Sequence, residues 1–223
     1  VGGPTANLWG ARCARADEEC ARESCLFPKI CPHLRSDQAG YVALLKKLAC
    51  LPGVKQVRVA SGVRHDLAAI EPEATAELLE RFVGGQLKLA PEHCAESVLR
   101  LARKPAFALF EEFLERFTEH SEQAAREQYV VPYLLSALPG CTDEDMRQLA
   151  GWLRARGWKP QQVQCFIPSP GTVATAMFYS GRDVSGREIA IARTDAERLR
   201  QHAILLGEET GRRPPKSHFR KRR

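Results

Sequence analysis

No run of apolar residues in this chain comes near the roughly 18–20 needed to span a bilayer. The longest candidate, Tyr129 to Leu138, is about half that and contains Pro132. A membrane span is therefore not expected, and no stretch reads as a signal peptide. The chain also lacks the biased composition of collagen or of a disordered segment. Its 223 residues are 44 % apolar and 27 % charged, enough to bury one sizeable core. Eight cysteines are too few for a small disulfide scaffold and too many to be incidental. Reduced thiols without an export signal point to the cytoplasm. Net basic charge on the body is missing too. Of 33 basic residues, seven lie between Arg212 and Arg223, and the remaining 26 face 27 acidic ones. A folded nucleic-acid platform would carry its positive charge on the fold, so only the tail (212–223), which reads as a solvated end, offers an RNA contact.

What is present is an alternation of short apolar runs and amphipathic segments, the pattern of βαβ units and a parallel sheet. Four strands are expected: Val54 to Ala60, Gln86 to Ala90, Gln128 to Leu135 and Gln161 to Ile167. Pro72 suits the first turn of a helix that stops at Gly84-Gly85. Thr142 with Asp145, and Thr194 with Glu197, form capping-box patterns ahead of two further helices, the first stopping at Gly157 and the second running through Leu206. Between Leu101 and Gln128 a longer helix repeats Phe107, Phe110, Leu114 and Phe117 at helical spacing, which reads as a core-facing stripe. The opening Val1-Gly2-Gly3-Pro4 reads as a strand end and a turn, with further strands expected upstream.

In β/α architectures ligands gather at the carboxyl ends of strands. The turns placed there are Gly2-Gly3-Pro4-Thr5-Ala6-Asn7, Ser61 to Asp66, Pro91-Glu92-His93, Ser136 to Gly140 and Pro168 to Thr172. Small residues let a ligand approach the backbone, and helix starts offer amides to a carboxylate or phosphate. Arg64, His65, Asp66, Glu92 and His93 are expected to project toward that space. They are candidates for substrate binding or proton transfer. An Arg-His-Asp run is equally a common solvated turn.

The stretches GGPTANLWG, VASGVRHDL, GGQLKLAPEH, QYVVPYLLSALPGCTDEDMRQLA and VQCFIPSPGTVATAMFYSG resemble the carboxyl half of the YgiQ family, bacterial radical S-adenosylmethionine proteins. The resemblance runs from Val1 to about Leu206. It implies a partial (β/α)6-type barrel over 1–180, incomplete on its N-terminal side, with a Cys-rich insert at 13–33 and a helical extension at 181–211. Gly2, Gly3 and Pro4 look like the turn that receives the amino group of S-adenosylmethionine through backbone carbonyls; Pro4 stands where an acidic residue is commoner. Lys88, Glu92 and His93 fall where ribose and carboxylate are held. Pro139 and Gly140, together with Phe166 and Ile167, fall near the adenine. The C-x3-C-x2-C loop that holds the 4Fe-4S cluster in this family is absent from the chain. Its ligands are thus expected outside it, in a further N-terminal part of the protein, with an electron donor as a second partner. The implied activity is abstraction of hydrogen by a 5′-deoxyadenosyl radical from a substrate the sequence does not identify.

Cys13, Cys20, Cys25 and Cys31 lie within nineteen residues. Four thiolates complete a tetrahedral zinc site or an auxiliary iron–sulfur cluster, with His33 as a spare ligand; the alternative is four reduced loop thiols. Cys50 and Cys165 sit in apolar patterns and read as core. Cys94 and Cys141 lie just past strand ends, where a redox or radical role and plain packing are both open. Two other functional readings remain beside the enzyme. One is a non-enzymatic metal-binding or interaction module, the other an RNA-modifying protein using the tail.

Overall fold

The computed structural model describes residues 5–15, 19–160 and 162–208. Gly2, Gly3, Pro4 and the basic tail lie outside them. Three parallel strands form the central sheet in the order β3-β4-β5: β3 is Gln86–Glu92, β4 is Tyr129–Ser136 and β5 is Gln162–Cys165. Two short strands, β1 (Arg12–Cys13) and β2 (Leu34–Arg35), pair antiparallel beside the N-terminal loop. The α/β class and the parallel sheet stand; the described residues form an open three-stranded sheet, which does not by itself establish the expected partial barrel.

The expected strand at Val54 to Ala60 carries no ladder. The Val59 amide donates to the Phe82 carbonyl at the end of a helix, 2.9 Å away. Just beyond the segment, Val63 makes an isolated parallel bridge to Leu89 of β3. Val57 and Val59 still pack on the core, so the alternation was a correct sign of a half-buried surface and a wrong sign of strand pairing.

The helices follow their punctuation. α1 (Gln38–Ala49) is capped twice: Asp37 accepts the Gly40 amide, and the Glu71 carboxylate takes the amides of Gln38 and Ala39 at 3.1 and 3.0 Å. α2 (Pro72–Phe82) opens on proline as expected. α5 (Asp143–Ala155) and α7 (Asp195–Leu206) both begin with complete capping boxes, Thr142 with Asp145 and Thr194 with Glu197. The long helix is α4 (Phe107–Gln123), and a short α3 (Glu96–Leu101) precedes it. α6 (Val173–Ser180) follows β5.

Phe107, Phe110 and Phe117 are buried as core, with Leu114 packed against them. Phe107 and Phe110 meet Trp152 of α5 at ring distances of 5.1 and 6.0 Å. α7 packs on α5, β4 and β5. Among the described residues no helix is long and apolar enough to cross a membrane.

Candidate functional site

At the carboxyl end of β3 a cavity of about 450 Å³ is lined by the charged residues Arg64, Asp66, Lys88, Glu92 and Lys104, with Tyr133 opposite. Its position follows from the period of the strand. Leu87 and Leu89 point into the core, so Lys88 and Ala90 face the open side. A bulge between Leu89 and Glu92, with Glu92 at φ +66°, then breaks the alternation. Glu92 is thereby turned into an ion pair with Lys104 at 2.7 Å.

The turn after Val63 is fixed from a distance. Asn7, buried in the N-terminal segment, donates to the Arg64 carbonyl at 2.7 Å and accepts its amide at 2.8 Å. Gly62 fits there because a Cβ would come within 3.0 Å of the Lys88 carbonyl oxygen. The Arg64 guanidinium then forks onto the Asp66 carboxylate at 3.0 and 2.6 Å, a bidentate geometry that fixes both side chains. Sequence reading missed Asn7 as a positioning residue. The signal was there: an asparagine among small residues, able to satisfy a backbone amide and a carbonyl at once.

Three cations and two carboxylates line this space. Arg64 and Lys104 are engaged, whereas Lys88 is exposed and makes no ion pair among the described residues. His65, buried beside them, is held neutral: burial pulls its pKa down to about 4, with Arg64 and Lys104 adding to the effect against Asp66.

Other expected site residues go elsewhere. His93 is fully buried and faces the core; its Nδ1 accepts the Ala95 amide at 2.9 Å. Cys94 and Cys141 are buried with it, outside the cavity lining. Burial pushes the Cys94 thiol up to about 12 and raises that of Cys141 further, so neither supplies a thiolate at neutral pH. Gly140 is occluded: its amide donates to the Ala190 carbonyl at 2.7 Å, and a Cβ would overlap Leu101. Phe166 packs against Phe178, while Ile167 points to solvent. Pro139, Gly140, Phe166 and Ile167 therefore do not line the cavity that holds Lys88 and Glu92.

The four N-terminal cysteines share one loop without converging. Cys31 is buried with Leu34 and Leu67, Cys25 packs beside it, Cys20 is exposed and Cys13 lies on β1. Among the described residues no three His, Cys, Asp or Glu side chains form a group able to hold a metal ion. Cys50 is a correction as well: it ends α1 exposed, and Cys165 is half-buried.

Comparison with known proteins adds family context. Residues 161–210 match a family model described as a domain of unknown function, DUF3362. The chain is 44 % identical over 209 residues to a UPF0313 protein of Geobacter sulfurreducens, covering 92 % of this chain and 34 % of that protein. It is 40 % identical over 214 residues to the UPF0313 protein YgiQ of Escherichia coli K12, covering 92 % and 29 %. A UPF0313 protein of Pseudomonas syringae pv. tomato is 44 % identical over 185 residues. The chain spans between about a quarter and a third of the length of these relatives.

Proposed function

The chain belongs to the YgiQ family, and from that premise we propose that it forms the S-adenosylmethionine- and substrate-facing wall of a radical S-adenosylmethionine enzyme. The observation that carries the reading is Lys88, an ammonium without an ion-pair partner among the described residues, set on the open face of β3 inside a 450 Å³ cavity. A carboxylate-bearing ligand of nucleoside size suits such a space. The fit to the cofactor is partial. Lys88 suits its carboxylate, and Glu92, already paired with Lys104, stands beside it. The residues expected at the adenine lie outside this cavity's lining, and among the described residues the cysteine loop forms no group able to hold a metal ion. No step is assigned to an iron–sulfur group of this chain.

When bound, S-adenosylmethionine supplies radical chemistry that removes hydrogen from a carbon centre. The chain's own contribution is positioning. Lys88 pairs with the ligand carboxylate, and the Arg64–Asp66 fork fixes the turn that carries His65. His65, kept neutral by its burial, holds a hydrogen-bonding group of the substrate without adding charge. The cluster ligands and an electron donor come from outside this chain in this reading. A reducing, cytoplasmic compartment agrees with eight cysteines that are all unpaired.

The test is titration of S-adenosylmethionine into the full-length protein by calorimetry, comparing wild type with Lys88→Met. Loss of one charge-assisted contact is expected to weaken binding by about ten- to a hundredfold, with an unchanged circular dichroism spectrum because Lys88 is exposed. Absence of binding, or equal affinity in the variant, refutes the reading.

A further inference from the structure

The N-terminal loop, the end of α3 and the turn after α6 enclose a cavity of about 500 Å³ that shares no lining residue with the one at β3. Four guanidinium groups line it, those of Arg22, Arg100, Arg103 and Arg187, against the two carboxylates of Glu23 and Asp183. Both carboxylates are already engaged. Glu23 pairs with Arg103 at 2.7 Å; Asp183 pairs with Arg187 at 2.9 Å and also accepts the Ser185 and Arg187 amides. Arg22 and Arg100 are left without a carboxylate partner among the described residues. Arg22 is nonetheless held in place: its Nε donates to the Ser24 carbonyl at 3.2 Å and its Nη2 to the Lys29 carbonyl at 2.6 Å. Arg100 is exposed in the last turn of α3. Phe27, Leu101 and the buried Met177 add carbon surface to the same wall.

Neutral carbonyls fix the plane of a guanidinium without cancelling its charge, and its remaining N–H groups stay able to donate. A cation ordered before its partner arrives loses less freedom on binding. Two uncompensated positive charges match a dianion, and planar guanidinium groups pair with phosphate oxygens through parallel hydrogen bonds. The volume falls within the roughly 300–1,000 Å³ of small-molecule sites. That is more than an inorganic ion fills, and the carbon surface suits an apolar body attached to the anion. We propose that this cavity binds a small phosphate monoester, its phosphate held by Arg22 and Arg100 and its apolar or aromatic body set against Phe27, Leu101 and Met177. The site is independent of the S-adenosylmethionine reading.

The experiment is calorimetric titration of the full-length protein at fixed ionic strength with three probes: phenyl phosphate, phenyl sulfate and inorganic phosphate. Phenyl phosphate is expected to bind at submillimolar concentration. Phenyl sulfate keeps the shape with one charge fewer and is expected to bind about tenfold more weakly; inorganic phosphate, without the ring, is expected to be weaker by a similar factor. Arg100→Met removes one charge-assisted contact and is expected to weaken phenyl phosphate about tenfold. Val184→Glu, at a lining position 71 % exposed, sets a like charge against the anion and is the second variant should the first fail to fold. No binding of phenyl phosphate at about ten millimolar overturns the proposal. So does equal affinity in wild type and both folded variants, equal affinity for the sulfate or for inorganic phosphate, or binding that is lost in Lys88→Met instead, which would place the probe in the cavity at β3.

Discussion

The Cys141 thiol lies 3.6 Å from Nε2 of His93. Because Nδ1 of that ring accepts the Ala95 amide, the proton sits on Nε2 and points at sulfur, while the thiol donates in turn to the Thr142 carbonyl at 3.6 Å. Two residues that sequence position places at a reactive cavity are thus joined inside the core, at the start of α3 and α5. His93→Ala is expected to destabilise the protein by about 2–4 kcal/mol, a cavity plus a lost hydrogen bond. His93→Asn, whose Oδ1 replaces Nδ1 as acceptor, is expected to retain about 1 kcal/mol more. Urea unfolding of the two variants checks the order; equal stabilities would contradict it.

Acid sensitivity follows from the same burial. His65 and His93 are each held down to about 4 from an ordinary 6.5, burial being the main cause in both. Between those values the unfolded chain binds protons that the native one refuses. Their stabilising effect is therefore complete above about pH 6.5 and is lost as the pH falls toward 4. The urea midpoint is expected to fall between pH 7.5 and pH 5, with a smaller fall in His93→Asn. A midpoint independent of pH over that range would show that neither ring is buried neutral.

Asn7 reaches 57 positions along the chain to hold both backbone groups of Arg64. Asn7→Ala leaves a carbonyl and an amide without partners and is expected to cost about 1–3 kcal/mol. Asn7→Asp keeps the acceptor alone and should fall between the two. Amide hydrogen exchange at Arg64 reads the clamp directly. Exchange as slow in Asn7→Ala as in wild type would mean that the turn is held by something else.

Gly140 sits at φ +86° with Leu101 occupying the place of a Cβ. Gly140→Ala combines an unfavourable backbone conformation with an overlap and is expected to cost about 2–3 kcal/mol. Leu101→Ala relieves the overlap only. The double variant should therefore be more stable than the sum of the two single losses predicts. Strict additivity in thermal unfolding would remove the contact as a cause.

Elements written in local chemistry were legible. The two threonine capping boxes, proline at the start of α2 and the period of β3 and β4 all rest on neighbours within a few residues. What could not be read was set by longer reach. Val54 to Ala60 has strand-like residues, but its Val59 amide is claimed by Phe82. α3 begins without a side-chain cap, and only Glu96 in its first turn marks its start. The direction of His93 depends on the extra residue in β3 before Glu92, because one inserted residue exchanges the faces of a strand. Hence Arg64, Asp66, Lys88 and Glu92 line one cavity at the strand ends, while His93 turns into the core and Cys94 and Cys141 follow the packing alternative that the sequence left open.

The Gln201 side chain finishes the turn after β4: its carbonyl oxygen accepts the Ala137 amide at 3.0 Å and its amide donates to the Cys141 carbonyl at 2.9 Å, across 64 and 60 residues of sequence. On the ribosome, therefore, β4 and α5 emerge long before the residue that closes the loop between them. A nascent chain halted short of α7 leaves those backbone groups without their native partner. α7 thus acts as a clasp on the turn between β4 and α5, closing it from 60 or more residues away.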